Sequence, residues 1–177
     1  LDEMNESLGD MVLIATGTPA GDDGSVDLSQ VRSAISWVLQ KQQGPCIIVV
    51  KSTVPPGTGI GLWETMLRGT SLEYVSNPEF LREGQAVTDW FHPDRIVIGG
   101  RDDRSIDKVK SLYNNIDAPL VLTDITSAEM VKYAANAFLA TKISFINEIA
   151  ALSDKLGATI DDIRDGIALD PRIGSGF

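Results

Sequence analysis

The chain has 177 residues, of which 43% are hydrophobic and 23% are charged, so it can build one large domain or one and a half small ones. Its net charge of −10 argues against a protein that binds nucleic-acid backbones, since such binding depends on clustered lysines and arginines. A nucleotide ligand is not excluded, because a few local cations and helix N-termini can hold one.

The sequence also carries no sign of a membrane or secretory destination. No apolar run reaches membrane-spanning length, and no signal-peptide pattern opens the chain. A single cysteine rules out an internal disulfide framework and is compatible with a reducing compartment. These features predict a cytoplasmic protein.

The first elements alternate between strand and helix patterns. The apolar run 11–15 predicts a buried strand that closes into the turn 16–19. Asp27 is placed to cap a helix that continues to about Gln42. The unbroken run 46–50, rich in β-branched residues, is typical of a parallel strand that is buried on both faces.

This alternation continues through the middle of the chain. A helix is predicted through Trp63, Met66 and Leu67. Short strands are predicted at 72–75, 95–98 and 120–122, and an amphipathic helix at 105–113. The pattern as a whole indicates an α/β fold with a doubly wound parallel sheet.

The last third of the chain has a different character. Residues 127–156 contain neither proline nor glycine, and their apolar residues recur at helical spacing. A helix of that length is about 45 Å long, which is more than a crossover connection needs. It therefore predicts a long central helix that leads into a helical domain. Gly157 should end it, and Thr159 should cap a further helix through Ile167.

Polar residues follow two of the predicted strands, where open α/β sheets place their ligand sites. Thr53 follows the strand at 46–50, and Glu79 and Glu83 lie four residues apart after the strand at 72–75. The glutamates could be an acid/base pair or could orient a ligand. Alternatively, Thr53 belongs to an ordinary proline-containing turn, and the glutamates are solvated loop carboxylates.

Lys132 and Asn136 form a second candidate pair on the long helix. Their spacing of four residues places them on one helix face, with the small residues Ala134 and Ala135 between them. A lysine and an amide directed at one point could stabilise an oxyanion or position a water. The alternative is that Lys132 and Asn136 are simply solvated on the helix surface. Glu129 and Lys132 could also form a surface ion pair of little energetic value.

Other reactive residue types give little support for a site. His92, between Phe91 and Pro93, is predicted to be a loop or packing residue, and no cluster of histidines and cysteines suggests a metal. Cys46 is predicted to be a core residue rather than a nucleophile. No Gly-x-Gly-x-x-Gly or Walker-type loop follows a predicted strand. The residues alone predict no more than an α/β domain, a long helix and a candidate small-molecule site.

Six motifs allow a more specific interpretation. They occur across nearly the whole chain in the order and spacing that one known protein family has. They lie at 14–19, 51–58, 77–84, 93–100, 128–138 and 172–174. Together they resemble the nucleotide-sugar (UDP-glucose/GDP-mannose) dehydrogenases. The Pro-Asp-Arg-Ile-Val-Ile-Gly form of the fourth motif and the Arg-Ile-Gly ending are most similar to members that oxidise UDP-glucose.

The resemblance implies a Rossmann-like fold and a four-electron oxidation of the C6 alcohol of UDP-glucose to a carboxylate. Such enzymes use two NAD+ and pass through an aldehyde and a cysteine-bound thioester. By this analogy Thr53 and Glu79 orient or deprotonate the catalytic water, and Lys132 with Asn136 stabilises the developing oxyanion.

The resemblance also implies residues for the two ligands. The NAD site would include Thr18, Pro19, Ser52, Thr53 and Glu83. The substrate would be contacted by Glu79, Phe80, Leu81, Arg82, Glu83, Lys132, Asn136 and Arg172. Because Arg172 resembles an arginine that reaches the substrate of a neighbouring subunit, the resemblance implies a homodimer built on the long helix, with no nucleic-acid or membrane partner.

The departures from the family pattern shape the expected domain organisation. The glycine-rich fingerprint, the nucleophilic cysteine and the domain that completes the UDP site have no counterpart in these residues. We therefore expect residues 1–124 to be the second half of an NAD-binding domain and 125–177 a truncated central helical domain, inactive alone. Alternatives are a dehydrogenase for GDP-mannose or a UDP-N-acetylhexosamine, and a non-catalytic binding or dimerisation module of the same fold.

Overall fold

The computed structural model describes residues 8–176. They divide into one compact unit that extends through Tyr133 and a second that begins at Ala134. The first unit contains a five-stranded sheet. Its strands are β1 (Met11–Ile14), β2 (Cys46–Val50), β3 (Leu72–Ser76), β4 (Ile96–Gly100) and β5 (Leu120–Thr123).

Six helices accompany the sheet. They are α1 (Ser29–Lys41), α2 (Thr58–Leu62), α3 (Ala86–Phe91), α4 (Asp103–Lys110), α5 (Ile125–Leu156) and α6 (Ile160–Ala168). A π-helical turn at Trp63–Leu67 extends α2, and a 3₁₀ turn at Ser111–Tyr113 follows α4. The predicted elements are thus present, but α3 was not predicted. None of the helices within residues 8–176 is both long and apolar enough to cross a membrane.

The strands lie in sequence order, and their directions correct one part of the prediction. Strands β1, β2 and β3 are parallel, as are β4 and β5, but β4 runs antiparallel to β3. The α/β Rossmann-like class is confirmed, whereas the sheet is mixed rather than wholly parallel. The segment between β3 and β4 contains only the six-residue helix α3, and a parallel return normally needs a full crossover helix.

The core lies on both faces of the sheet, as strand β2 shows. Cys46, Ile48 and Val50 pack on one face in the cluster that includes α1, and Ile47 and Val49 pack on the other in the cluster that includes α4. This alternation confirms a strand buried on both sides. It also confirms Cys46 as a core residue, and burial raises the pKa of its thiol.

The long helix is confirmed as one continuous element of 32 residues. It begins two residues earlier than predicted, where the Asp124 carboxylate accepts hydrogen bonds from the Ser127 backbone N–H (2.9 Å) and hydroxyl (2.6 Å). Gly157, with φ of +73°, follows its last residue, as expected for a helix C-terminal stop. Helix α6 is confirmed and runs to Ala168.

Candidate active site

The residues after β1 and β2 form the first part of the candidate site. The Ser52 hydroxyl donates to the Thr16 carbonyl at 2.6 Å, and the Thr18 hydroxyl donates to the Thr53 carbonyl at 2.8 Å. Parallel strands β1 and β2 end side by side, so these loops meet at one edge of the sheet. The structure therefore brings together three of the predicted cofactor residues, and the exposed Pro19 continues the same turn.

A buried ammonium paired with a half-buried carboxylate forms the second part. Lys132 Nζ lies 3.5 Å from Glu79 Oε1, and the Lys132 side chain is only 9% exposed. The alternative of a solvated lysine is therefore wrong, because Lys132 turns into the protein and not towards water. A paired ammonium in such a setting acts more strongly on a nearby charge than one in bulk solvent.

The aromatic ring of Phe80 contacts two cations. Lys132 Nζ is 5.1 Å from its centroid, and Arg95 Cζ is 3.9 Å from it. Both distances are within the range of cation–π attraction. Arg95 is a residue that the sequence analysis missed, although it lies within the Pro-Asp-Arg motif at 93–95. The signal that could have identified it is an arginine at the start of a strand next to the candidate loop.

The loop at 77–84 is held in shape by its own polar groups. The second carboxylate oxygen of Glu79 accepts a short hydrogen bond from the Leu81 backbone N–H, which fixes the orientation of the carboxylate. Leu81 is half-buried, whereas Arg82 and Glu83 are exposed. The structure therefore brings Glu79 and Phe80 to Lys132, and Glu83 lies on the solvent side of the loop.

Asp89 of α3 anchors the later part of this loop. Its Oδ2 accepts from the Arg82 backbone N–H at 2.8 Å and from Arg82 Nε at 3.1 Å, and its Oδ1 lies 2.5 Å from Arg82 Nη2. The Arg82 guanidinium and backbone N–H lower the pKa of Asp89 to about 2, so this carboxylate is charged at neutral pH. Arg82 was predicted to contact the substrate. In the structure it joins the loop to Asp89 of α3.

Asn77 anchors the beginning of the loop. Its side-chain amide donates to the Val97 carbonyl at 2.8 Å, and its Oδ1 accepts from the Tyr113 hydroxyl at 2.5 Å. Lys51 Nζ lies 3.2 Å from the same Oδ1 and 3.3 Å from the Asn77 carbonyl. Lys51 was not among the predicted site residues, although a lysine directly after a buried strand is a signal that could have identified it.

The alternative in which Glu129 pairs with Lys132 at the surface is wrong. Glu129 is 2% exposed, and its two oxygens accept from the backbone N–H groups of Gly57 (2.7 Å) and Gly59 (2.8 Å) at the start of α2. Burial raises the pKa of Glu129, and the two glycine N–H bonds act in the opposite direction. This carboxylate joins α5, one turn before Lys132, to the loop that carries Thr53.

Asn136 and Arg172 belong to the second unit, which begins at Ala134. Asn136 is exposed on α5. The Arg172 guanidinium is paired with Asp170, with Nη2 2.6 Å from Oδ2, and its side chain is 87% exposed. Among residues 8–176, no group of three or more histidine, cysteine, aspartate or glutamate side chains is arranged to hold a metal ion.

Comparison with known proteins identifies the family to which the chain is similar. Residues 3–117 match the NAD binding domain of the UDP-glucose/GDP-mannose dehydrogenase family, and residues 126–177 match the central domain of that family. The chain is 46% identical over 173 residues to a UDP-glucose 6-dehydrogenase of Bacillus subtilis, and 48% identical over 178 residues to one of Rhizobium meliloti. These alignments cover 95% of this chain but 39% and 40% of the two relatives, so the chain spans about two fifths of their length.

Solved structures agree with these matches. A UDP-glucose dehydrogenase from Pyrobaculum islandicum superposes with a TM-score of 0.89 at 44% identity, covering 94% of this chain and 40% of that one. A GDP-mannose dehydrogenase from Pseudomonas aeruginosa superposes with a TM-score of 0.82 at 30% identity, covering 91% of this chain and 39% of that one. With both family domains matched in order, this chain belongs to the UDP-glucose/GDP-mannose dehydrogenase family.

Proposed function

We propose that the chain is a segment of an NAD-dependent UDP-glucose 6-dehydrogenase, which oxidises UDP-glucose to UDP-glucuronate. The observation that carries the proposal is the pairing of the buried Lys132 with Glu79 beside Phe80, in a chain whose curated relatives named above are UDP-glucose 6-dehydrogenases. GDP-mannose is the second candidate substrate, because the chain is 30% identical to a GDP-mannose dehydrogenase. It ranks second because this identity is lower than that to the UDP-glucose 6-dehydrogenases.

The chemistry assigned to this chain is charge stabilisation and water handling. The Lys132 ammonium is the donor that faces a developing oxyanion, and its burial strengthens that interaction. Glu79 holds this ammonium in place through Oε1. In the proposal the same carboxylate, with Thr53, orients or deprotonates the water, and the Asn136 amide adds a second donor to the oxyanion.

The residues after β1 and β2 fit one side of an NAD site. The buried Thr16 hydroxyl oxygen, at this edge of the sheet, has no hydrogen-bond partner within residues 8–176, and an unpaired buried hydroxyl is costly unless a ligand or water satisfies it. Bound NAD+ would supply a hydride acceptor. Thr18, Pro19, Ser52 and Thr53 would contact it, with Glu83 near its nicotinamide, and Arg172 would contact the sugar nucleotide of a partner subunit.

A direct assay tests the proposal. The complete protein that contains this chain is incubated with NAD+ and UDP-glucose, and NADH formation is followed by absorbance. We expect two NADH for each UDP-glucose, much slower turnover of GDP-mannose and UDP-N-acetylglucosamine, and none from the 177-residue chain alone. Preferred turnover of GDP-mannose would move the assignment to the second candidate, and no turnover of any nucleotide sugar would favour a non-catalytic module.

The proposal includes the domain boundaries 1–124 and 125–177, a cytoplasmic location and a homodimer built on α5. Support for the dimer comes from an exposed apolar row on that helix. Phe138, Phe145 and Leu152 recur every seven residues and are 64%, 51% and 51% exposed. This is the spacing with which helices pair along a common seam.

We expect Phe145→Glu to shift the complete protein from dimer to monomer in sedimentation velocity at micromolar concentration, because it places a charge within the apolar row. Asn147→Glu adds the same charge at an exposed position about half a turn around the helix. It should leave the dimer intact. A dimer that withstands Phe145→Glu as well as Asn147→Glu would place the interface elsewhere, for example at the edge of the sheet.

A further inference from the structure

We propose that Lys51 is a positioning residue that, in its protonated form, fastens the Glu79-bearing loop to the end of β2. Lys51 is the first residue after β2, and it directly precedes Ser52 and Thr53. For its kinetic readout the inference rests on the proposed function. Its second readout, a spectroscopic one, does not.

The geometry gives the ammonium one acceptor for each of its three hydrogens. Lys51 Nζ lies 3.3 Å from the Asn77 carbonyl, 3.2 Å from Asn77 Oδ1 and 3.3 Å from the Tyr113 hydroxyl. A neutral amine has only two hydrogens to donate, so at least one of these three donated hydrogen bonds is lost when the proton leaves. The loop attachment therefore depends on the charge state of Lys51.

The partner of Lys51 is itself rigidly held. Asn77 is 1% exposed, donates to the Val97 carbonyl of β4 and accepts from Tyr113. Two residues later the chain reaches Glu79, which pairs with Lys132. A shift of Asn77 would therefore move the carboxylate that faces Lys132, and small displacements of a positioned group are costly for catalysis.

The groups that surround Lys51 come from three elements. Glu79 in the loop attracts its charge, the Tyr113 hydroxyl from the 3₁₀ turn contacts it, and the ring of Trp90 in α3 lies 5.3 Å from Nζ. Burial lowers the pKa of Lys51 to about 8, and Glu79 opposes that shift. The amine therefore loses its proton slightly above neutral pH, well before an exposed lysine would.

Loss of the Lys51 proton has opposite effects on folding stability and on the contacts that hold the loop. In the unfolded chain the lysine stays protonated up to its ordinary pKa of 10.5, so the folded form binds fewer protons between about pH 8 and that value. This group's contribution to folding stability therefore rises with pH in that window. The loop contacts weaken over the same window, because the third donor is gone.

Kinetics of the complete protein provide the first test. Lys51→Met, which is uncharged at every pH, should raise the KM for the nucleotide sugar about tenfold at neutral pH, while the KM for NAD+ changes by no more than about twofold. The wild-type KM for the sugar should rise through about pH 8, and that of Lys51→Met should stay flat. Lys51→Arg, which keeps its charge, should recover part of the affinity and also stay flat.

A fluorescence titration provides the second test and needs no turnover. The emission of the wild type minus that of Trp90→Phe isolates the ring next to Lys51. We expect an inflection near pH 8 that is absent in Lys51→Met. If UDP-glucose is not a substrate, the inflection still shows whether Lys51 loses its proton next to the Trp90 ring of α3.

Three results would overturn the inference: an unchanged sugar KM in Lys51→Met, a wild-type KM that is flat through pH 8, or an inflection that survives in Lys51→Met. If Lys51→Met does not fold, Tyr113→Phe takes its place, because it removes one acceptor and leaves the amine. That variant should raise the sugar KM about threefold and displace the inflection. A sugar KM and an inflection both equal to those of the wild type would count against Lys51 as a positioning residue.

Discussion

Lys132→Met in the complete protein should lower kcat by about 10² to 10³, because it removes the proposed oxyanion donor and leaves Glu79 without its ammonium. Methionine approximates the length of the lysine stem, so the buried side chain keeps most of its packing, including its contact with Phe80. The measurement is steady-state NADH formation over a range of UDP-glucose concentrations. We expect the loss to be in kcat more than in KM, since the donor acts mainly in the transition state.

A matched control separates lost charge from lost structure. Lys155→Met makes the same chemical change on the same helix, at an exposed position in its last turn. Its kcat should stay within about twofold of the wild type. Thermal unfolding of the two variants shows whether either has lost stability. A Lys132→Met enzyme with nearly wild-type kcat would remove Lys132 from the proposed mechanism.

Gly59→Ala should destabilise the first unit by about 2 kcal/mol, because there is no space for a β-carbon at this position. A Cβ built on Gly59 would lie 2.5 Å from Ile125 Cγ2 and 2.8 Å from Glu129 Oε1, and closer still to the ring of Tyr74. Tyr74 and Ile125 are fully buried, so neither can move aside without disturbing the core. The measurement is the urea midpoint of the complete protein.

Gly61→Ala is the control within the same helix. A Cβ at Gly61 meets no atom within 4 Å, and the residue has no left-handed backbone. Alanine there should be neutral or stabilise the helix by up to about 1 kcal/mol, because it has the higher helix propensity. Equal urea midpoints for Gly59→Ala and Gly61→Ala would show that the packing around Glu129 can relax. In that case α5 would not be held to α2 as tightly as the structure indicates.

The fold was largely predictable where one pattern extends over many residues. The β-branched run of β2 indicates a strand that is buried on both faces. The stretch of α5 without proline or glycine indicates one continuous helix. Helix α3 has only six residues, which is too short for a 3.6-residue periodicity to be recognised. The direction of β4 leaves no trace in its own residues, because apolar strands look alike whichever way they run.

The candidate site was predicted in its composition but not in its contacts. Glu129 and Lys132 are three residues apart on one helix, so spacing alone suggested a surface ion pair. The structure instead directs Glu129 to Gly59, which is 70 residues away in sequence, and Lys132 to Glu79. Contacts over such separations depend on which strands are neighbours and which helix face packs on them.

From the sequence alone came the α/β alternation, the long helix, the loop at 77–84 and the six motifs that resemble the dehydrogenase family. Each of these features depends on neighbouring residues or on the order of motifs along the chain, so the sequence alone is enough to predict it. Only the tertiary structure decided that β4 runs antiparallel, that Glu129 is buried, and that Lys51 holds Asn77. The reason is physical: burial and pairing of charges are properties of the packed assembly, where distant segments remove each other from water, and no single segment specifies them.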